Sequence, residues 1–151
     1  MESGLSSKRI CIVGAGAIGG LLGVRLSRNH IVTFHARGAH LAAMVDASAM
    51  LLVSPDGVET KSAPSSLFVT SLDCVPPQDF VILGLKTHQI SSVLPSLTAL
   101  LERSPGATLV TTQNGVPWWF FQQFSGPHEF RDLPLLSVDP DAALFHGIDP
   151  K

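Results

Sequence analysis

An apolar run near the start of the chain stops abruptly at glycines, and a helix-forming stretch follows at once. Residues 10–20 read Ile-Cys-Ile-Val-Gly-Ala-Gly-Ala-Ile-Gly-Gly, which places Gly14, Gly16 and Gly19 in a Gly-x-Gly-x-x-Gly pattern. This order predicts a buried strand, a tight turn and a helix. A connection that serves structure alone needs only one glycine, and each glycine inside a helix costs about 1 kcal/mol relative to alanine. The pattern therefore favours a binding role.

Each of the three glycines suits a dinucleotide diphosphate. Gly14 permits the tight turn, Gly16 carries no side chain that would block the phosphates, and Gly19 lets the helix approach the strand. The helix N-terminus adds free backbone N–H groups and a partial positive charge. We predict a cofactor site on the residues of this turn: Gly14, Ala15, Gly16, Ala17, Ile18 and Gly19.

Strands and helices alternate along the first three quarters of the chain. Hydrophobic periodicity predicts strands at 9–13, 31–36, 67–70, 80–85 and 107–112, helices at 17–28, 40–47 and 87–102, and a hairpin around the turn at 54–57. Such alternation gives βαβ units and a mainly parallel sheet covered on both faces. The chain is thus expected to adopt an α/β, Rossmann-like doubly wound fold with its ligand at the carboxyl ends of the strands.

The sequence also predicts the buried face of the first helix and an interruption of the third. In the first helix we expect an apolar stripe that faces the sheet, formed by Ile18, Leu21, Leu22 and Leu26. Pro95 lies inside the long helical pattern at 87–102, so we expect either a kink there or a late helix start.

The pattern fades after Val116. We assign residues 1–117 to a nucleotide-binding domain and residues 118–151 to an irregular remainder of the same domain. Prolines punctuate this remainder, and its aromatic group at 118–124 is expected to pack against the sheet, the alternative being a wall of a substrate pocket.

Composition narrows the range of partners. Ten Lys and Arg against twelve Asp and Glu give a formal charge of −2, with no basic cluster for nucleic acid or a membrane surface. Residues 11–24 are too short to span a bilayer, and residues 1–9 lack the features of a signal peptide.

Cys11 and Cys74 are expected to be free thiols in the cytoplasm. The histidines show no metal-ligand spacing, and we predict no metal site.

Arg37 follows the second strand about twenty residues after the glycine turn. At this point an NAD-binding chain usually presents a carboxylate to the ribose 2′-hydroxyl, and the sequence Phe-His-Ala-Arg-Gly at 34–38 has none. A guanidinium there is suited to the 2′-phosphate of NADP(H) through charge-assisted hydrogen bonds. The alternative is a solvated arginine in a loop.

Lys86 and Asn114 each follow a later strand of the predicted sheet. A lysine there can reach the cofactor or a substrate carboxylate, or it can simply cap the strand in solvent. Asn114 precedes Gly115, and this pair forms either a turn or an amide that faces the nicotinamide and a keto acid. His88 is close enough in sequence to line the same cleft, although a surface helix position is the default.

Four of these segments together resemble the ketopantoate reductase (2-dehydropantoate 2-reductase) family. The matching segments are Ile-Val-Gly-Ala-Gly-Ala-Ile-Gly-Gly at 12–20, Ala-Arg-Gly at 36–38, Leu-Lys-Thr-His-Gln at 85–89 and Gln-Asn-Gly-Val at 113–116. The resemblance implies NADPH-dependent reduction of a small-molecule 2-keto acid, ketopantoate, on the pathway to pantothenate and coenzyme A. It also implies that Lys86 and Asn114 lie beside the nicotinamide and the substrate.

The chain departs from the family in length. Family members are about twice as long and carry a helical C-terminal domain with the catalytic lysine, so the resemblance implies that this domain is absent and that no catalytic residue lies in the chain. We expect little activity from the chain alone. A related 2-keto acid reductase and a non-catalytic NADPH-binding module remain as alternatives. A shortened sheet would also leave an open edge, from which we predict a homodimer or a marginally stable fold.

Overall fold

The computed structural model describes residues 6–149, and its main feature is a single parallel sheet. The strands are β1 (Arg9–Val13), β2 (Ile31–His35), β3 (Leu51–Val53), β4 (Glu59–Lys61), β5 (Leu67–Val69), β6 (Phe80–Leu83) and β7 (Thr108–Thr111). The helices are α1 (Ala17–Leu26), α2 (Gly38–Asp46), α3 (Thr87–Ile90), α4 (Leu94–Glu102) and α5 (Ala143–Gly147). Each predicted strand and the first two predicted helices are present, with ends that differ by a few residues. The single helix predicted at 87–102 is instead divided into α3, a 3₁₀ turn and α4.

The sheet has five parallel strands in the order β5-β2-β1-β6-β7, and β3 and β4 form a separate antiparallel hairpin. The predicted α/β, Rossmann-like, mainly parallel architecture is confirmed. In the register of the three central strands, Val13 lies opposite both His35 and Leu83. The carboxyl ends of β1, β2 and β6 therefore lie at one level, which brings the glycine turn close to the residues that follow His35 and Leu83.

The alternating side chains of β1 divide the core into two layers. Cys11 and Val13 face a layer that includes α4, whereas Ile10 and Ile12 face a layer with α1 and α2. Both cysteines are free thiols, Cys11 buried and Cys74 exposed. Burial raises the pKa of the Cys11 thiol to about 12, because the low-dielectric core disfavours the thiolate.

The predicted apolar stripe of α1 is wrong for two of its members. Ile18 is 53% exposed and Leu21 is 36% exposed, whereas Gly19, Gly20 and Gly23 are buried against the sheet. A Cβ atom on Gly23 would collide with the ring of Phe34. The helix lies so close to the sheet that its buried face consists of these glycines and Val24, while Ile18 and Leu21 turn outward.

Pro95 marks a late helix start rather than a kink. The chain leaves β6 through the single turn of α3 and a 3₁₀ turn at Ser91–Val93, and α4 begins at Leu94 with the proline in its first turn. Proline is favoured there because its missing N–H has no partner within a helix in any case.

Residues after Val116 are mostly irregular, as predicted, but they include a short helix, α5, that the sequence pattern did not reveal. Trp118 is 1% exposed and packs in the same layer as Leu144 and Ile148. This confirms that packing is the role of at least the first aromatic residue.

The edge strands of the sheet are β5 and β7, and both are short. The predicted open edge corresponds to β7. Within residues 6–149 no helix has the length and apolar character needed to cross a membrane. The predictions on Met1–Leu5, Pro150 and Lys151 lie outside the described residues.

Candidate active site

The glycine turn after β1 is fixed to the neighbouring strand by its backbone. Gly14 has a φ of +95°, a conformation that favours glycine. The N–H groups of Gly14 and Ala15 both donate to the carbonyl of His35, over 3.1 and 3.2 Å. The carbonyl of Ala15 in turn lies 2.7 Å from Nε2 of His40. Gly14 and Ala15 therefore shape the turn, and their N–H groups are already engaged.

The N-terminus of α1 opens to the outside of the molecule. Gly16 occupies the N-cap position without a side-chain cap, and Gly16, Ala17 and Ile18 are exposed. A Cβ atom on Gly16 would meet nothing within 4 Å. The first N–H groups of a helix have no partner within the helix, so this corner presents free donors and a partial positive charge. Both features fit the diphosphate of a dinucleotide.

Close backbone packing sets the depth of this corner. A Cβ atom on Gly19 would collide with the carbonyl of Gly14 and would approach Cγ2 of Ile12 to 2.9 Å. Gly84, just after β6, packs against Gly19 in the same way. Since these glycines are in contact, α1 begins directly above the ends of β1 and β6.

A cleft of about 600 Å³ joins the open helix terminus to the ends of β6 and β7. It is lined by Gly16, Ala17, Ile18, Gly84, Leu85, Lys86, Thr87, His88, Gln89, Thr112, Gln113 and Asn114. The structure thus brings three of the predicted elements together: the glycine turn, Lys86 and Asn114. The lining contains no acidic residue and two basic ones, Lys86 and His88, which favours an anionic ligand.

Lys86 is held at the start of α3 by its own backbone. Its N–H donates to Oε1 of Gln89 over 3.1 Å, and its carbonyl accepts from the N–H of Gln89 over 2.8 Å. The lysine side chain itself is exposed. Fixing the backbone while leaving the ammonium free is an arrangement that suits contact with a ligand.

Two residues that the sequence analysis left out of the site anchor the opposite wall of the cleft. Nε2 of Gln113 donates to the carbonyls of Leu83 and Leu85, over 3.1 and 2.8 Å. The hydroxyl of Thr112 donates to the carbonyl of Leu83 over 2.8 Å. These bonds join the end of β7 to the end of β6 and so position Asn114. The available signal was a run of polar side chains directly after a strand.

Arg37 lies outside the cleft, on the β2 side of the glycine turn. It is exposed at the N-cap of α2, two residues beyond His35. Within residues 6–149 its guanidinium has no hydrogen bond or ion pair. Burial, and to a smaller extent the positive charge of Arg37, lowers the pKa of His35 below its ordinary value. Among the described residues, the end of β2 therefore carries an unpaired guanidinium beside an imidazole whose neutral form is favoured.

A family model described as "Ketopantoate reductase PanE/ApbA" matches residues 10–117, a stretch that contains every residue of the glycine turn and of the cleft. The chain belongs to the ketopantoate reductase family. The recognition made from four sequence segments is thereby confirmed.

Individual ketopantoate reductase relatives support the same assignment. The chain is 37% identical over 145 residues to a 2-dehydropantoate 2-reductase of Mesorhizobium japonicum. The matched stretch covers 95% of this chain and 42% of that relative. The crystal structure of a candidate ketopantoate reductase of Ralstonia solanacearum MolK2 matches with a TM-score of 0.78 and 36% identity, over 95% of this chain and 42% of the other. The chain thus spans less than half the length of these relatives.

A more distant structure resembles this chain in fold. A ternary structure of D-mandelate dehydrogenase with NADH and anilino(oxo)acetate superposes with a TM-score of 0.56 at 23% identity, over 72% of this chain and 34% of the other. The parallel sheet and its helices are therefore also found in this dehydrogenase.

Proposed function

We propose that this chain is the NADPH-binding portion of a 2-dehydropantoate 2-reductase-like enzyme. The full enzyme would reduce ketopantoate to pantoate in pantothenate and coenzyme A synthesis, in the cytoplasm. Family membership supports the class of reaction. The observation that carries the cofactor assignment is the uncapped N-terminus of α1, which opens into a cleft that also contains Lys86 and Asn114.

The glycine turn would hold the diphosphate of the cofactor. In this proposal the exposed first residues of α1, Gly16, Ala17 and Ile18, present the free N–H donors. Gly14, Ala15 and Gly19 keep the turn in shape through the backbone contacts described above. The division of roles follows from which N–H groups are already bonded and which are free.

Lys86 and Asn114 would lie beside the nicotinamide and the keto acid. The cofactor supplies the hydride when it is bound. The chain's own contribution is to orient it, with a diphosphate site at one end of the cleft and a cation and an amide at the other. A keto acid is an anion, and the lining contains Lys86 and His88 but no carboxylate that would repel it.

Arg37 would select NADPH over NADH. The proposed diphosphate site is the end of the cleft at the glycine turn, whose backbone is bonded to the carbonyl of His35 at the end of β2. The adenosine half of a dinucleotide that extends away from the cleft would therefore pass the end of β2. Arg37 presents an exposed guanidinium without a partner among the described residues at that point. A free guanidinium suits a phosphate, which it can contact through two parallel hydrogen bonds.

Titration with the two cofactors tests this assignment. NADPH should bind more tightly than NADH, and Arg37→Ala should remove most of the difference. A charge-assisted contact of about 1.5–3 kcal/mol corresponds to about a 10- to 100-fold loss of NADPH affinity with little change for NADH. Arg28→Ala, which removes an exposed arginine beyond the far end of α1, is the matched control. Equal affinities of the wild type for both cofactors would refute the 2′-phosphate assignment.

We also propose that the chain pairs with a second copy through the free edge of β7. Thr108 donates its N–H to the carbonyl of Asp79 beside β6, so by strand alternation the backbones of Leu109 and Thr111 face away. Both residues line a groove of about 420 Å³. An edge strand leaves backbone N–H and C=O groups unpaired on one side, and the uncharged β7 of a second copy could pair with them. Sedimentation should therefore show a dimer that dissociates on dilution, and a monomer at all concentrations with a sharp melt would contradict this.

A further inference from the structure

We propose that His88 is a second cationic contact for an anionic group bound in the cleft, and that anion binding there weakens as the pH rises. The inference rests on the proposed function, since it takes NADPH and a keto acid as the ligands. The group recognised is an anionic oxygen, either of the cofactor diphosphate or of the keto acid carboxylate.

The position of His88 is fixed by the short helix that carries it. Ile90 is fully buried in the core and anchors one side of α3, and the hydrogen bonds between Lys86 and Gln89 hold its first turn. His88 and Lys86 both line the cleft from this turn. The imidazole is exposed and has no hydrogen-bond partner among residues 6–149, so it is available to a ligand.

The charges that face His88 are few. The start of α1 contributes Gly16, Ala17 and Ile18 to the cleft, and the end of β7 contributes Thr112, Gln113 and Asn114, all of them uncharged. Lys86 is the one other residue of the lining with an ionisable side chain. Histidine ordinarily gains its charge between about pH 8 and pH 5. Protonation of His88 would therefore add a second positive charge, with no acidic residue of the lining to neutralise it.

The proposed contact makes anion binding stronger at low pH. At low pH the cleft carries two cations and binds an anion more tightly, and at high pH it carries one. One linked proton changes an affinity by at most about tenfold per pH unit. An exposed, solvent-screened contact gives less than that limit, so we expect a total change of about three- to tenfold between pH 5.5 and pH 8.

The test compares His88→Gln with the wild type in titrations of NADPH between pH 5.5 and pH 8. Glutamine keeps a polar side chain of similar size and removes the titratable charge. The 2′-phosphate of the ligand also titrates near pH 6, but it does so equally for both proteins and cancels in the ratio of their affinities. His128→Gln, which removes an exposed histidine on a 3₁₀ turn outside the cleft, is the matched control.

A second titration separates the two sources of the anion. Ketopantoate is added to protein saturated with NADP⁺, in which no hydride is available for turnover. A difference between His88→Gln and wild type that is already present with NADPH alone assigns His88 to a cofactor phosphate. A difference that is present only with ketopantoate assigns it to the carboxylate.

The wild type and His128→Gln should bind NADPH or ketopantoate about three- to tenfold more tightly at pH 5.5 than His88→Gln does, and the affinities of the three proteins should be equal at pH 8. Superimposable pH profiles of wild type and His88→Gln with both ligands would overturn it while leaving the proposed function intact. A wild type that fails to bind NADPH at any pH would overturn the proposed function together with the inference.

Discussion

The corner around the glycine turn and the segment after Val116 are built in opposite ways. At the corner, backbone meets backbone: Gly14, Gly19 and Gly84 are in contact, and a single added methyl group would collide. In the closing segment, residues 117–149, the large side chain of Trp118 packs against the sheet and is 1% exposed. The first region depends on the absence of side chains and the second on the presence of one.

Several contacts in the segment after Val116 join residues that are well separated in the chain. Trp118 packs in the same layer as Leu144 and Ile148, which follow it by 26 and 30 residues in the chain. Asp139 accepts a hydrogen bond from the N–H of Phe145 over 2.9 Å, and Gln122 donates to the carbonyl of Phe145 over 2.7 Å. Removal of one large side chain should therefore loosen the whole segment, while the glycine corner stays intact.

The largest expected effect on stability is that of Trp118→Ala. Truncation of a fully buried tryptophan costs about 3–5 kcal/mol, because it loses burial and leaves a cavity. Urea denaturation should show this decrease in the free energy of unfolding. Trp119→Ala is the matched control, since Trp119 is 42% exposed, and it should cost less than about 1 kcal/mol. Equal losses for the two variants would show that the segment does not pack as described.

A smaller loss is expected at the glycine corner. Gly19→Ala adds one methyl group where the carbonyl of Gly14 and the side chain of Ile12 leave no room, and overpacking of this kind costs about 1–3 kcal/mol. The same denaturation experiment measures it. Gly106→Ala, at a loop position where a Cβ atom meets nothing within 4 Å, should leave stability almost unchanged. If Gly19→Ala were as stable as the wild type, the close approach of α1 to β1 would be disproved.

The same contrast explains what the sequence could predict. Strand periodicity and the glycine spacing are local signals, so the ends of β1 agree with the prediction and the strands of the sheet were all found. The buried face of α1 was predicted wrongly because apolar periodicity ranks Ile18 and Leu21 above glycine. Apolar periodicity contains no information on the distance between helix and sheet, which here is too short for the side chains of Ile18 and Leu21.

Contacts between distant residues escaped prediction for another reason. No local sequence pattern predicts α5, because its burial depends on contacts with Trp118 and with the neighbouring helix α4. The hydrogen bonds of Gln113 to the end of β6 depend on which strands are neighbours, which the sequence does not state. Lys86 and Asn114 were predicted because each directly follows a recognisable strand, and parallel strands end at the same edge.

The most direct test of the account is NADPH binding by Gly16→Leu. Gly16 is exposed, and its Cβ direction is empty, so the leucine should lower stability by no more than about 1 kcal/mol. The side chain would instead occupy the space in front of the free N–H groups of α1, where the diphosphate is proposed to bind. Gly16→Leu should be folded, with a melting temperature lowered by no more than a few degrees, and should lose at least about 100-fold in NADPH affinity, equivalent to about 3 kcal/mol. A folded Gly16→Leu that binds NADPH as tightly as the wild type would contradict it.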